Sequence, residues 1–231
     1  LVPVAGLGKA LLEEPVLNGV ERKLAGQAAL LAPVADGLLL AELAAETAQL
    51  GEVQVMQIAE LQGSLMSLLT GAIAAVRAIE IGTFTGYSAI CIARALPAHG
   101  KLLCCDVSDE WTSIARRYFA KAGVAHKIDL RIGPALDTLR ALPVEPLFDI
   151  GFIDADKVNQ RNYYEEVLLR LRSGGLLLID NVLREGRVLD ASLHDPALSA
   201  VRACNDAVAA DPRVEVAMLP IADGLTVIRK R

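Results

Sequence analysis

The segment Ala78-Ile79-Glu80-Ile81-Gly82-Thr83-Phe84-Thr85-Gly86-Tyr87-Ser88 constrains this chain more than any other. A short apolar run carrying one acid bends through two glycines and continues as an apolar helix. An open α/β sheet builds its ligand crevice this way, at the carboxyl end of its first strand. Gly82 and Gly86 permit a close backbone approach that a Cβ would obstruct. The spacing is G-x-x-x-G rather than G-x-G-x-x-G, and the missing middle glycine argues against a dinucleotide. Glu80, just ahead of the turn, would repel a pyrophosphate and suits a cationic ligand. A plain packing turn is the competing reading of these glycines.

The chain of 231 residues is long enough for one α/β domain with a helical N-terminal extension, over residues 1–55, ahead of a core over 56–231. Hydrophobic residues make up 53% and aromatic ones 4%, so the core is built mainly of Leu, Ala, Val and Ile. A formal net charge of -5 gives no overall attraction to nucleic acid or to an anionic membrane. Cys91, Cys104, Cys105 and Cys204 form no C-x-x-C pair, and the adjacent Cys104 and Cys105 of one strand point to opposite faces. Buried free thiols in a reducing compartment follow, and the expected location is the cytoplasm. The chain starts at Leu1 rather than Met, which leaves room for a removed upstream segment. His99, His126 and His194 lack ligand spacing, so zinc has little support. The charge-free stretch between Glu60 and Arg77 is too short and too polar to span a membrane.

Residues 9–50 read as helices interrupted near Pro33 and Gly37, with Leu38, Leu39, Leu40, Leu43 and Leu50 as an apolar stripe. Residues 51–57 read as a loop and 60–76 as a helix. Strands are expected at 77–82, 101–106, 127–132, 148–154 and 175–180, with helices around 86–96, 109–122, 134–142 and 159–171. Such alternation predicts a doubly wound, mostly parallel sheet. A helix at 196–210 and strands at 213–219 and 224–229 then predict an antiparallel hairpin at the sheet edge.

Acids stand at the carboxyl ends of these strands. Asp106, 24 residues after Gly82, can accept the ribose hydroxyls of an adenosyl ligand. Capping of the next helix is its alternative duty, for which Asp109 is also available. One strand delivers Asp154, Asp156 and Lys157, and the next delivers Asp180 and Asn181. Neighbouring strands would converge Asp154, Asp180 and Asn181 into three oxygen ligands that suit magnesium, calcium or manganese. Without a cation the two carboxylates repel, and one is expected to hold a proton. Lys157 either pairs with Asp154 or Asp156, or serves as a base beside the cation. S-adenosylmethionine, which carries a sulfonium and an α-ammonium, matches the cationic ligand that Glu80 prefers.

Taken together these residues resemble the cation-dependent class I O-methyltransferases, the group that includes caffeoyl-CoA and catechol O-methyltransferases. The matching stretches are Glu80 to Ser88, Gly133-Pro134-Ala135, Asp154-Ala155-Asp156-Lys157, Asp180-Asn181-Val182-Leu183 and Asp223-Gly224, with Lys121 to Val124 and His126-Lys127-Ile128 in support. The resemblance runs from about Met56 onward. It implies a Rossmann-like seven-stranded fold in which Glu80, Gly82, Thr83, Ser88, Asp106 and Ala135 hold the methyl donor, joined by Met56, Ile58 and Asp156. It further implies Asp154, Asp180 and Asn181 as metal ligands, Lys157 as the base, and a homodimer whose N-terminal helices help to bind substrate. Arg184-Glu185-Gly186 departs from the family's usual Trp-x-Gly at that point, which argues against a plant-type caffeoyl-CoA acceptor.

The expected reaction is methyl transfer from S-adenosylmethionine to one hydroxyl of a small catechol-like aromatic, whose two oxygens can chelate the cation. O-methylation of a hydroxylated tRNA uridine is an alternative, with Arg184, Arg187, Arg202, Arg229, Lys230 and Arg231 as phosphate contacts. A donor-binding module without catalysis is a third reading.

Overall fold

The computed structural model describes residues 34–231. The helices expected before residue 34, and the break at Pro33, lie outside the described residues. The first described helix, α1 (Val34–Thr47), leads through 3-10 turns (Ala48–Met56) into α2 (Glu60–Ala72). Strands and helices then alternate: β1 (Arg77–Ile81), α3 (Tyr87–Ala95), β2 (Lys101–Asp106), α4 (Asp109–Lys121) and β3 (Ile128–Ile132). They continue as α5 (Ala135–Ala141), β4 (Phe148–Ile153), α6 (Gln160–Arg170) and β5 (Leu171–Asp180). After α7 (Pro196–Ala210) come β6 (Val214–Leu219) and β7 (Leu225–Lys230).

The strands form one seven-stranded sheet in the order β3-β2-β1-β4-β5-β7-β6. The first five are parallel, and β7 runs antiparallel to both β5 and β6. This is the expected doubly wound sheet with its antiparallel hairpin, and strand order reverses between β1 and β4. Burial on both faces explains the continuous apolar runs of β1, β2 and β4. Successive residues alternate between two cores. Cys104 packs with Leu43, Met66, Ile90 and Phe152 on one face, and Cys105 with Ile79, Ile153 and Ile179 on the other. All four cysteines are buried and free.

Several boundaries differ from the expected ones. Gly37 lies inside α1 rather than breaking it. The expected loop at 51–57 is mostly 3-10 turn, kinked at Gly51 where φ is 73°. The helix expected to reach Val76 stops at Ala72. Ala74 turns left-handed (φ 49°), and Ala75 N–H reaches back to the Thr70 carbonyl, closing the helix in the manner of a Schellman cap. Strand β5 begins at Leu171, earlier than expected. No helix among the described residues is long and apolar enough to cross a membrane.

Two lysines close helix ends that carry no glycine cap. Lys127 is buried and its Nζ donates to the carbonyls of Ala93 (2.9 Å) and Leu96 (2.7 Å) at the end of α3. Lys230 does the same for Leu168 and Leu171 at the end of α6, at 2.7 Å each. A cation there satisfies orphan carbonyls and opposes the negative end of the helix dipole. Lys127→Met keeps the stem but strands both carbonyls, so it is expected to lower unfolding free energy by about 1–3 kcal/mol in urea titration.

Candidate active site

The crevice opens at the carboxyl ends of β1 and β4, where the strand order reverses. A glycine is obligatory at position 82: φ is +92°, and a Cβ would stand 2.1 Å from the carbonyl oxygen of Asp154. The Asp154 amide in turn donates to the Ile81 carbonyl at 2.8 Å. Gly86, also at φ +92°, serves packing instead, because a Cβ would strike Phe119 and Ala115 of α4. At both positions the glycine answers to close packing within the protein, against backbone at Gly82 and against side chains at Gly86.

Asp106 shapes this turn. Its Oδ2 accepts from the amides of Thr83 and Phe84, and its Oδ1 from Ser108, all at 2.8 Å. It does not cap α4; Ser108 does, accepting from the Trp111 amide at 3.2 Å. Asp109 pairs with Arg116. Beneath the turn Glu80 is fully buried, with Cys104 Sγ 3.6 Å from Oε2 and no partner on Oε1. Burial pushes its carboxyl up to about 7, opposed by the nearby Ser88 and Thr83 hydroxyls. Thr83 Oγ1 is likewise buried without a partner.

The second group of acids comes from β4 and β5. Ile153 pairs with Ile179, so Asp154 and Asp180 are the next residues beyond the last paired rung of two parallel strands, which run about 4.8 Å apart. Asp180 is almost wholly buried, and its Oδ1 accepts from the Asn181 amide at 2.7 Å. Burial, and then the charge of Asp154, drive the Asp180 carboxyl well above the usual carboxylate range. Lys157 Nζ lies 2.9 Å from Asp154 Oδ1, both side chains being largely shielded. That is one of the two pairings the sequence allowed. Asp156 instead accepts from Asn159 and from the Tyr163 hydroxyl, which fixes it at the mouth of the turn before α6.

The resulting cavity has a volume of about 660 Å³. Every residue expected to hold the donor or the metal or to act as the base lines it except Glu80, which lies behind the wall: Met56, Ile58, Gly82, Thr83, Ser88, Asp106, Ala135, Asp154, Asp156, Lys157, Asp180 and Asn181. Sequence reasoning missed Trp111, which meets Phe84 edge-on at 5.3 Å on the cavity wall, and Gln62, whose buried amide has no partner. The only tryptophan of the chain, five residues after Asp106, was an available signal for the first. A polar residue on the buried face of α2 was the signal for the second.

Backbone strain concentrates here. Phe84, Asn181, Arg184, Glu185 and Ala222 all have φ between 48° and 56°, and all line the cavity. Asp223 holds the last of these loops together, since its Oδ1 accepts from the Glu185 amide at 2.5 Å and its carbonyl from Leu183 at 3.0 Å. Arg184 faces the Asp223 carboxylate at 3.9 Å. The other basic residues considered for phosphate are also engaged. Arg187 pairs with Asp195, Arg229 with Glu215, Arg202 donates to backbone carbonyls, Lys230 closes α6 and Arg231 donates to Val214.

Comparison with known proteins agrees with this arrangement. A family model described as O-methyltransferase matches residues 32–231. The chain is 47% identical over 173 residues to a probable caffeoyl-CoA O-methyltransferase 2 of Dictyostelium discoideum, covering 73% of this chain and 75% of that protein. It is 40% identical over 188 residues to tricin synthase 1 of Oryza sativa subsp. japonica, covering 76% and 75%. Among solved structures, the O-methyltransferase of Bacillus cereus in complex with SAH superimposes with a TM-score of 0.77 at 33% identity, covering 84% of this chain and 90% of that one. The O-methyltransferase TomG of Streptomyces achromogenes in complex with SAM gives 0.82 at 30% identity, covering 95% and 99%. By sequence, sheet topology and crevice, the chain belongs to the O-methyltransferase family of S-adenosylmethionine-dependent enzymes.

Proposed function

We propose that this enzyme transfers the methyl group of S-adenosylmethionine to one hydroxyl of a small catechol-like aromatic, with a divalent cation, magnesium by preference, held by Asp154, Asp180 and Asn181. One observation carries the reading: two carboxylates stand at the carboxyl ends of neighbouring parallel strands, Asp154 just beyond β4 and the buried Asp180 closing β5, in the same cavity as the glycine turn and Lys157. Among the described residues no three His, Cys, Asp or Glu side chains gather as a metal cluster, so the set rests on two acids and an amide. Hard oxygen donors of that kind suit magnesium, with calcium or manganese as weaker candidates, and leave positions for substrate oxygens.

When bound, the cation would supply Lewis acidity that favours the ionised form of the acceptor hydroxyl. The chain's own residues do the remaining work. Lys157 Nζ, placed by its contact with Asp154, would receive the hydroxyl proton in its free-amine form, having first released its own proton to solvent. Gly82, Thr83, Ser88 and Ala135 seat the donor. Glu80 places negative charge beneath the donor's cationic end across a medium of low dielectric. The 3-10 segment contributes Met56 to the cavity wall, and Ile58 follows it there.

Treatment with EDTA is expected to abolish methylation of a catechol, and magnesium to restore it, while Asp180→Ala stays at the chelated background. Full turnover in a metal-free preparation removes the cation from this reading. Lys157→Ala should cut kcat by about 10²–10⁴-fold with donor affinity nearly unchanged.

A pH test follows from Glu80. Its carboxyl is neutral below about 7 and charged above, so affinity for the cationic donor rises as pH climbs through that value. In the empty protein the sign is opposite: stability present below the unfolded carboxyl's 4.5 is lost as pH rises through about 7. Calorimetric donor titrations at pH 6 and pH 8 should show this trend, and Glu80→Gln should flatten it.

A further inference from the structure

The last residue of α1 touches the donor turn. Thr47 Oγ1 donates to Thr85 Oγ1 at 2.9 Å, across 38 residues of sequence. Both side chains are sealed from solvent, at 1% and 0% exposure, so water cannot replace the bond. Thr85 sits between Phe84, at φ 50°, and Gly86, at φ 92°, in the least relaxed part of the turn. Asp106 restrains the first half of that turn through Thr83 and Phe84; Thr47 restrains the second half through Thr85.

Helix α1 is itself fastened to α4. Glu46 meets Arg117 and accepts from the Tyr118 hydroxyl at 2.9 Å, and Glu42 pairs with Lys121 at 2.5 Å. Arg117 and Lys121 are half exposed, so each ion pair contributes little alone. Immediately beyond Thr47, the 3-10 segment carries Val55 and Met56 to the cavity wall. One hydroxyl pair therefore lies between an externally anchored helix, a cavity wall and the strained turn.

We propose that Thr47 is a positioning residue for the methyl donor, acting through Thr85. Docking of α1 and the binding-competent shape of the turn are then one linked equilibrium, and the linkage is reciprocal. The proposal rests on the assignment of the glycine turn to the donor. It predicts that loss of the Thr47 hydroxyl weakens donor binding rather than the chemical step.

The test compares wild type with Thr47→Val, which keeps volume but removes the donor hydrogen, and with Thr47→Ser, which keeps the hydroxyl. Donor affinity is read by calorimetry and by fluorescence of Trp111 on the cavity wall. Thr47→Val should raise the Kd for S-adenosylmethionine about five- to tenfold, as expected for stranding a buried hydroxyl. At saturating donor, kcat should stay within about twofold, and Thr47→Ser should return Kd to within about twofold of wild type. A lowered Tm with unchanged Kd overturns the proposal and leaves Thr47 a packing residue. Hydrogen exchange on the wild-type protein tests the reverse direction and does not depend on the variant folding. Donor binding should slow exchange of amides at the end of α1, and identical protection with and without donor also overturns the proposal. Absence of any donor affinity in wild type would instead sink the donor assignment itself.

Discussion

The site depends on one missing side-chain carbon. At Gly82 the end of β1 passes so close to the Asp154 carbonyl that any Cβ would overlap it. The Asp154 amide bonds the Ile81 carbonyl in the same stretch. The glycine turn and the strand end that presents Asp154 are thus one rigid contact, not two loops that meet. Interior packing has discrete arrangements and little give, so the relative position of the turn and of Asp154 is set by backbone rather than by side-chain rotamers.

Around that contact the protein accepts local costs. Glu80 and Asp180 are desolvated acids, and the former keeps an oxygen without a partner. Non-glycine residues adopt left-handed backbone at Phe84, Asn181, Arg184, Glu185 and Ala222, all on the cavity wall. At many helix ends local preference and fold agree, as in the Ser108 cap of α4 and the Asp195 cap of α7. Departures gathered at one crevice are what a functional site looks like energetically.

Much of this was legible in the sequence. Alternation of apolar strands with amphipathic helices forecast the sheet, and period-two geometry put Cys104 and Cys105 in different cores. Strand ends are where acids become informative, so the sequence alone brings Asp154 and Asp180 to neighbouring strand ends. What escaped the reading depends on contacts across long sequence separations or on small backbone energies. Thr47 with Thr85 has no local signature, and neither does Asp149, whose carboxylate accepts from Val76 and Arg77 at the foot of β1. Gly37 carries a weak helix penalty that packing of Leu43 into the core overrides, and Ala74 took a left-handed turn that glycine usually marks.

Strand β7 is threaded between β5 and β6, and so the order of the sheet is not the order of the chain. Until residues 225–230 arrive, β5 presents a bare row of amides and carbonyls bordered by some of the most apolar sequence in the protein. The hairpin tip at Asp223 also arrives with that strand, and it braces the loop beyond Asn181. A polypeptide lacking that strand would therefore hold the crevice with one side unbuilt and an unpaired apolar edge beside it, the kind of surface on which chains associate wrongly.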